Sequence, residues 1–246
     1  MQKSRTALFA GAAAVAVVGL VGAGSPPAAT APVTGSMVTG TVPSAGFGHP
    51  RANPWFPLSP GVTTVLRGTD EGKGLRERVR VTHRTRLIQG VRTTVIRDVL
   101  RRDGGSLAES TTDWYADDNA GNVWYFGEKT ATYDRHGHVQ SREGSWEAGR
   151  HGGEAGLIMP AGPHATDAYR QEYLAKHAED QAWIVGFKRA VHVPAGRYRH
   201  VVRSFEWSRL EPRVLSTKLY ARGVGIVREA DLVGGSEEFE VVKVQH

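Results

Sequence analysis

The sequence predicts a mainly β protein: a single antiparallel curved sheet or half-barrel meander of about ten strands, with one long loop laid over it. Three observations predict it. From Leu75 to Leu87 the side chains alternate, with Arg76, Arg78, Arg80, Arg84 and Arg86 on one parity and Leu75, Val79, Val81 and Leu87 on the other. Successive side chains of a strand face opposite ways, so this segment is a half-buried strand with a guanidinium-lined outer face. Turn formers then recur at short intervals, at Gly90, Asp103-Gly104-Gly105, Asp117 to Asn122, Asp134 to Gly137, Pro194 to Gly196 and Gly223. Finally, only residues 168–180 carry side chains at helical spacing, Tyr169, Tyr173 and His177, and there a short strand fits equally well.

The elements follow from those breaks. Strands are expected at Val91 to Arg102, Leu107 to Ala116, Val123 to Phe126 and Val139 to Trp146. Residues 147–167 contain five Gly and two Pro, which predicts a loop; its apolar centre, Leu157-Ile158-Met159, predicts that the loop packs over the sheet. Trp183 to Val193 and Tyr198 to Leu210 form a hairpin around Pro194-Ala195-Gly196-Arg197, and Val214 to Ala221, Val224 to Leu232 and Phe239 to Val244 complete the meander.

The amino terminus carries an address. Lys3 and Arg5 precede an uncharged run from Thr6 to Gly24, and Ala29-Thr30-Ala31 offers small residues for cleavage, the order of a secretory signal peptide over residues 1–31. Residues 32–52, rich in Pro, Ala, Thr, Gly and Ser, are expected as a disordered linker, and residues 53–246 as the β domain. This implies a protein secreted to the cell envelope or beyond, with no membrane span after cleavage. The chain has no Cys, so it forms no disulfide and offers no thiol for lipid attachment. Arg outnumbers Lys by 24 to 7, the codon usage of a GC-rich, actinobacterial genome. Net charge is only +6, a weak bias that points away from nucleic acid.

Several segments carry a resemblance. Asn53-Pro54-Trp55-Phe56-Pro57-Leu58 with Pro60-Gly61, Asp113-Trp114-Tyr115-Ala116 with Asp118, and Gly121-Asn122-Val123-Trp124-Tyr125-Phe126-Gly127-Glu128 resemble motifs of a family of exported bacterial proteins. Lys218-x-Tyr220-Ala221-x-Gly223-Val224-Gly225 is similar to the closing hairpin of curved β half-barrels that resemble periplasmic lipoprotein carriers. The resemblance spans residues 53–232. It implies an exported half-barrel and carries over no activity, cofactor or catalytic residue.

No motif of catalytic grade is present: there is no Gly-x-Ser-x-Gly elbow and no thiol. The acidic hairpin Asp117-Asp118-Asn119 lacks the spacing of a calcium loop and reads as a turn, so no metal and no cofactor are expected. His136 with His138, and His192 with His200, are pairs without a third ligand. The carboxylates Glu128, Glu143, Glu172, Glu179 and Asp180 are available for acid–base work, but sequence does not say which converge. The arginine face could meet phospholipid headgroups, teichoic acid or nucleic acid; the simpler expectation is a solvated face balanced by Asp70, Glu71 and Glu77. Aromatics on both parities of residues 114–126 fit either a concave face filled as core by the 147–167 loop, the simpler expectation, or a ligand cavity there, which is the leading functional reading and takes Trp114, Trp124, Tyr125, Leu157 and Met159 as ligand-binding residues. The expected function is a monomeric, non-catalytic binding protein for an apolar small molecule or a cell-envelope component. The rival is an extracellular hydrolase or isomerase using carboxylates and histidine on that face.

Overall fold

A computed structural model describes residues 44–246; the expected signal peptide and residues 32–43 of the expected linker lie outside them. Fifteen strands, all paired antiparallel, form one sheet. They are β1 (Thr63–Asp70), β2 (Lys73–Ile88), β3 (Val91–Arg102), β4 (Leu107–Asp117), β5 (Val123–Tyr133), β6 (Val139–Ser141), β7 (Trp146–Glu147), β8 (Glu154–Met159), β9 (Ala168–Arg170), β10 (Glu172–Tyr173), β11 (Asp180–Val193), β12 (Gly196–Ser208), β13 (Leu215–Ala221), β14 (Gly225–Val233) and β15 (Glu238–Gln245).

The antiparallel, curved sheet is the predicted fold class, with more strands than expected and nearer to closure. From β1 to β5 and from β11 to β15 each strand pairs with its neighbour in sequence, and β1 pairs with β15, so Thr63 faces Gln245 and Thr69 faces Glu238. The remaining gap, between β8 and β11, is bridged by one short segment. Ala168–Arg170 pairs with β11 while Glu172–Tyr173 pairs with β8, which makes a barrel with a seam. Residues 168–173 are therefore strand, and the helical spacing of Tyr169 and Tyr173 is incidental.

The covering loop is the main correction. Glu154–Met159 is strand β8, hydrogen-bonded to β5, with Val123 opposite Met159 and Trp124 opposite Leu157. An apolar run buried on both sides is a sheet strand as readily as a lid, and every residue from Ala155 to Met159 is buried. Along β5, the short strands β6, β7 and β8 take turns as partners. Gly127 makes room for β7: a Cβ there would lie 2.3 Å from the Trp146 carbonyl oxygen. Strand β1 was also missed, since Thr63 to Asp70 mixes small and polar residues that alternate poorly.

Residues 46–58 run across the ends of these strands, so contacts with the domain begin before Asn53. The Asn119 amide donates to the Gly46 carbonyl, and the Arg51 amide to that of Asp118. Asn53 is buried and acts as a knot. Its Nδ2 donates to Gly121, Met159 and Pro160 carbonyls at 2.8–3.3 Å, and its Oδ1 accepts the Trp55 and Phe56 amides. Phe56 thereby packs on Tyr115, at 5.2 Å between centroids.

The interior mixes two chemistries. Phe56, Tyr115, Tyr125, Tyr220 and Phe239 are no more than 2% exposed and fill part of it. Gly68 on β1 leaves space for one of them, because a Cβ there would meet the Phe239 ring at 2.6 Å. The rest is acidic. Glu77, Asp98, Glu109, Asp113, Glu128, Glu172, Asp180, Glu206 and Glu229 are all buried, and Lys218 is the single buried base among the described residues. Lys3 and Arg5 aside, the chain has 29 basic and 25 acidic side chains; with nine acids and one base inside, 28 and 16 remain outside, a net +12. The modest charge of the sequence thus conceals an acidic interior and a strongly basic shell.

Candidate functional site

Register places the predicted residues on two faces. Paired residues share a face of a sheet, and Asp113 opposes Glu128 while Tyr115 opposes Tyr125, all four inside the barrel. Trp114 and Ala116 alternate with them and therefore lie outside, as does Trp124, which pairs with Ala116 and with Leu157. Trp114 and Trp124 do not line the concave face. Tyr125 does, but it is fully buried, stacked on Tyr115 at 4.5 Å with its hydroxyl donating to Asp113 Oδ1 at 3.0 Å. The Trp124 indole N–H donates to Asp118 Oδ2 at 2.9 Å, and Met159 is buried beside Val123. The five residues do not form one pocket.

What converges inside is the carboxylates. Glu128, Glu172 and Asp180 share the interior with Asp113, whereas Glu143 is exposed and Glu179 pairs at 3.5 Å with Arg209. Burial pushes the Asp113 carboxyl well up, aided by the charge of Asp98. Burial raises Glu128 too, with Asp113 and Glu172 beside it, and raises Glu172, with Asp180 beside it. Glu172 Oε2 accepts the Trp146 indole N–H at 2.7 Å, and no protein donor reaches its Oε1, Asp113 Oδ2 or Glu128 Oε2. Like charges this enclosed take up protons more readily than free carboxylates do. Across the barrel, Lys218 Nζ lies 2.8 Å from Glu206 and 3.9 Å from Glu229; Tyr220 and Ser204 hydroxyls also donate to Glu206, each at 2.8 Å.

The accessible site opens through the wall where β7 meets β5 and reaches inward to Glu128 and Trp146. An open groove of about 380 Å³ is lined by Arg86, Trp114, Glu128, Lys129, Ser145, Trp146, Glu147, Arg150, His151 and Leu174. Its construction follows from the strands. Arg86 lies near the end of the outward parity of β2 and Trp114 near that of β4, and the guanidinium stands 4.2 Å from the indole centroid. The turn after β7 brings Arg150. Glu147 lies between the two arginines, 2.6 Å from Arg86 and 3.0 Å from Arg150. One carboxylate against two guanidiniums leaves a positive excess, and Lys129, exposed and in no ion pair among the described residues, adds to it. Ser145 Oγ is engaged with the Thr130 backbone, at 3.0 Å from its amide and 3.2 Å from its carbonyl, so it is a strand-end contact. Trp114 and Arg86 were legible in the sequence as an aromatic and a strand-end arginine. Lys129, Glu147, Arg150 and His151 were not, because the groove exists only once β7 folds back on β5.

The histidine pairs and the acidic hairpin have local explanations. His138 Nδ1 contacts Asp134 at 3.2 Å, and His192 registers with Arg197 and not with His200. Asp118 Oδ1 accepts the Ala120 and Asn122 amides, and its Oδ2 accepts Asn122 Nδ2 and Trp124 Nε1, so all four bonds are donated from within the hairpin. Those donors bring Asp118 below its ordinary value although burial works the other way.

No protein-family model matches the sequence, and no curated protein shows significant similarity to it. Solved structures do resemble it. A proposed exported protein with a YmcC-like fold from Bacteroides fragilis aligns with a TM-score of 0.48 and 14% identity, covering 79% of this chain and 100% of its own. A proposed lipoprotein from Parabacteroides distasonis aligns at 0.44 and 11% identity with the same coverage.

Proposed function

We propose that the protein is an exported, non-catalytic binding protein that takes an anionic cell-envelope component with an apolar portion in the groove around Trp114. The observation that carries this reading is the groove's composition: Leu174 and the small exposed edge of the otherwise buried Trp114 indole give apolar surface, and Arg86, Arg150 and Lys129 outweigh Glu147. A ring or acyl segment packs on the indole while its phosphate or carboxylate meets the guanidiniums. The interior supports a different role. Asp113, Glu172 and Tyr125 are wholly buried among the protein's own aromatics, so these groups serve the packing of the interior.

Tryptophan fluorescence during titration with dodecyl phosphate, and with a dodecyl maltoside of neutral head, tests the reading. The phosphate should perturb emission saturably and the maltoside should be weaker by about tenfold or more, one charged contact contributing on the order of 1.5 kcal/mol. Lys129→Gln with Arg150→Gln should remove that preference. Equal responses to both amphiphiles, or a preference that survives the double substitution, would reject it.

A further inference from the structure

The expected balance of the arginine face does not exist. Glu77, which shares β2 with those arginines, points inward and is buried. Glu71 is engaged by Lys73 at 2.9 Å, and Asp70 by the Ser236 hydroxyl at 3.0 Å. The neighbouring strands add cations instead. Arg67 of β1 lies opposite Arg76 of β2, which lies opposite Arg101 of β3; one row further, Arg80 lies opposite Arg97, with Arg78 between the rows. All six are exposed, and none makes an ion pair among the described residues. Arg97 donates to the Thr112 hydroxyl and Arg101 to the Gly105 carbonyl, both groups of the sheet's own surface. Glu240, beside Arg67, is shared with Arg228 at 3.5 Å.

We infer that the outer face of β1–β3 is a docking surface for an anionic phospholipid membrane. Ladder spacing sets the Cα atoms that carry these arginines about 5 Å apart across strands and about 7 Å apart along them. That is a two-dimensional array, which a plane of headgroups engages all at once and a linear polymer engages one row at a time. Val65 and Thr63 are buried beneath it although they point outward, so the arginine stems lie on the sheet and hold their heads out. No aromatic side chain interleaves with these arginines on β1–β3, so the face has nothing on which nucleic-acid bases could stack. The groove opens on the same face, since Arg86 continues the parity of Arg76 to Arg80 and Trp114 follows Thr112, the neighbour of Arg97. Docking does not depend on the groove being occupied.

Co-sedimentation of the whole protein with vesicles tests the inference. Vesicles containing phosphatidylglycerol should bind it, with affinity falling as salt is raised, and pure phosphatidylcholine vesicles should not. Arg76→Gln, Arg78→Gln and Arg80→Gln together should weaken binding by on the order of a hundredfold, about fivefold for each arginine. Near-UV circular dichroism of the triple variant, expected unchanged, separates lost docking from lost folding. Three results would each overturn the inference: equal binding to both vesicle types, undiminished binding by a folded triple variant, or capture of poly(glycerol phosphate) or DNA without capture by vesicles. The fluorescence titration with dodecyl phosphate contains no vesicles, so failure there and failure here are distinguishable.

Discussion

Lys218 is the interior's only basic side chain among the described residues, 2% exposed, and it stands between two buried carboxylates. Replacing it with Met keeps the volume and the apolar stem while removing the charge. Glu206 would keep the Tyr220 and Ser204 hydroxyls and lose the cation at 2.8 Å. Stripping one partner from a buried pair costs about 3–5 kcal/mol, because the other charge remains enclosed. A domain of this size has roughly 5–15 kcal/mol in total, so Lys218→Met should lower Tm by about 10 °C at pH 7.5. The pH dependence identifies the cause. Below pH 4 the enclosed Glu229, raised by burial, keeps its proton at little cost, since unfolded Glu titrates near 4.3, and most of the deficit should disappear. Urea unfolding at pH 7.5 and at pH 4 measures both values. A loss under about 1 kcal/mol at pH 7.5, or an equal loss at both pH values, would refute the argument that this lysine offsets the acidic interior.

Three further outcomes concern the acidic side chains. Asp113, Glu128, Glu172 and Glu229 have folded values raised above those of the unfolded chain, burial being the first cause in each, and burial pushes Asp117 up to about 6. The folded state therefore binds more protons above about pH 4, and stability falls as pH rises through the folded values. Asp117 alone accounts for about 1 kcal/mol between pH 4 and 6 after allowance for its partial exposure; thermal melts should show a higher Tm at pH 5 than at pH 8, and the reverse order would contradict the raised values. At the hairpin, Asp118→Ala should cost about 1–3 kcal/mol by orphaning the Trp124 indole and three further donors. Wild-type melts in excess Ca²⁺ and in chelator should coincide, and a shift of several degrees would show that the hairpin binds the ion.

The strands that were legible are those where one face meets water. Arg76 to Val81 alternates cleanly because its odd side chains enter the barrel and its even ones do not. Residues 154–159 were misread because a run buried on both faces has no alternation to show, and its glycines and flanking prolines suggest a loop. The candidate site failed for a related reason. Parity reports which residues share a face, but Trp114 and Tyr125 differ by one step across the β4–β5 bulge, and only the register between strands decides which of them is inside. The charge segregation was invisible to composition altogether. Glu77 sits between Arg76 and Arg78 in sequence and on the opposite side of the wall in space.

The pairing of β1 with β15 has a consequence for how the chain acquires its structure. Thr63 has no second ladder partner until Gln245 exists, so the first strand keeps an open edge through the making of everything between them. Contacts that distant in sequence slow folding, and an exposed edge in the meantime invites pairing with other chains. The same adjacency brings the start of β1 and the end of β15 together at one rim. A covalent link from the end of β15 to the segment that leads into β1, long enough to leave residues 46–58 in place, with new termini cut in the 160–167 turn beside the seam, would preserve every ladder and turn the slowest contact into a local one. The circle is complete already; the chain merely happens to be opened at its most expensive join.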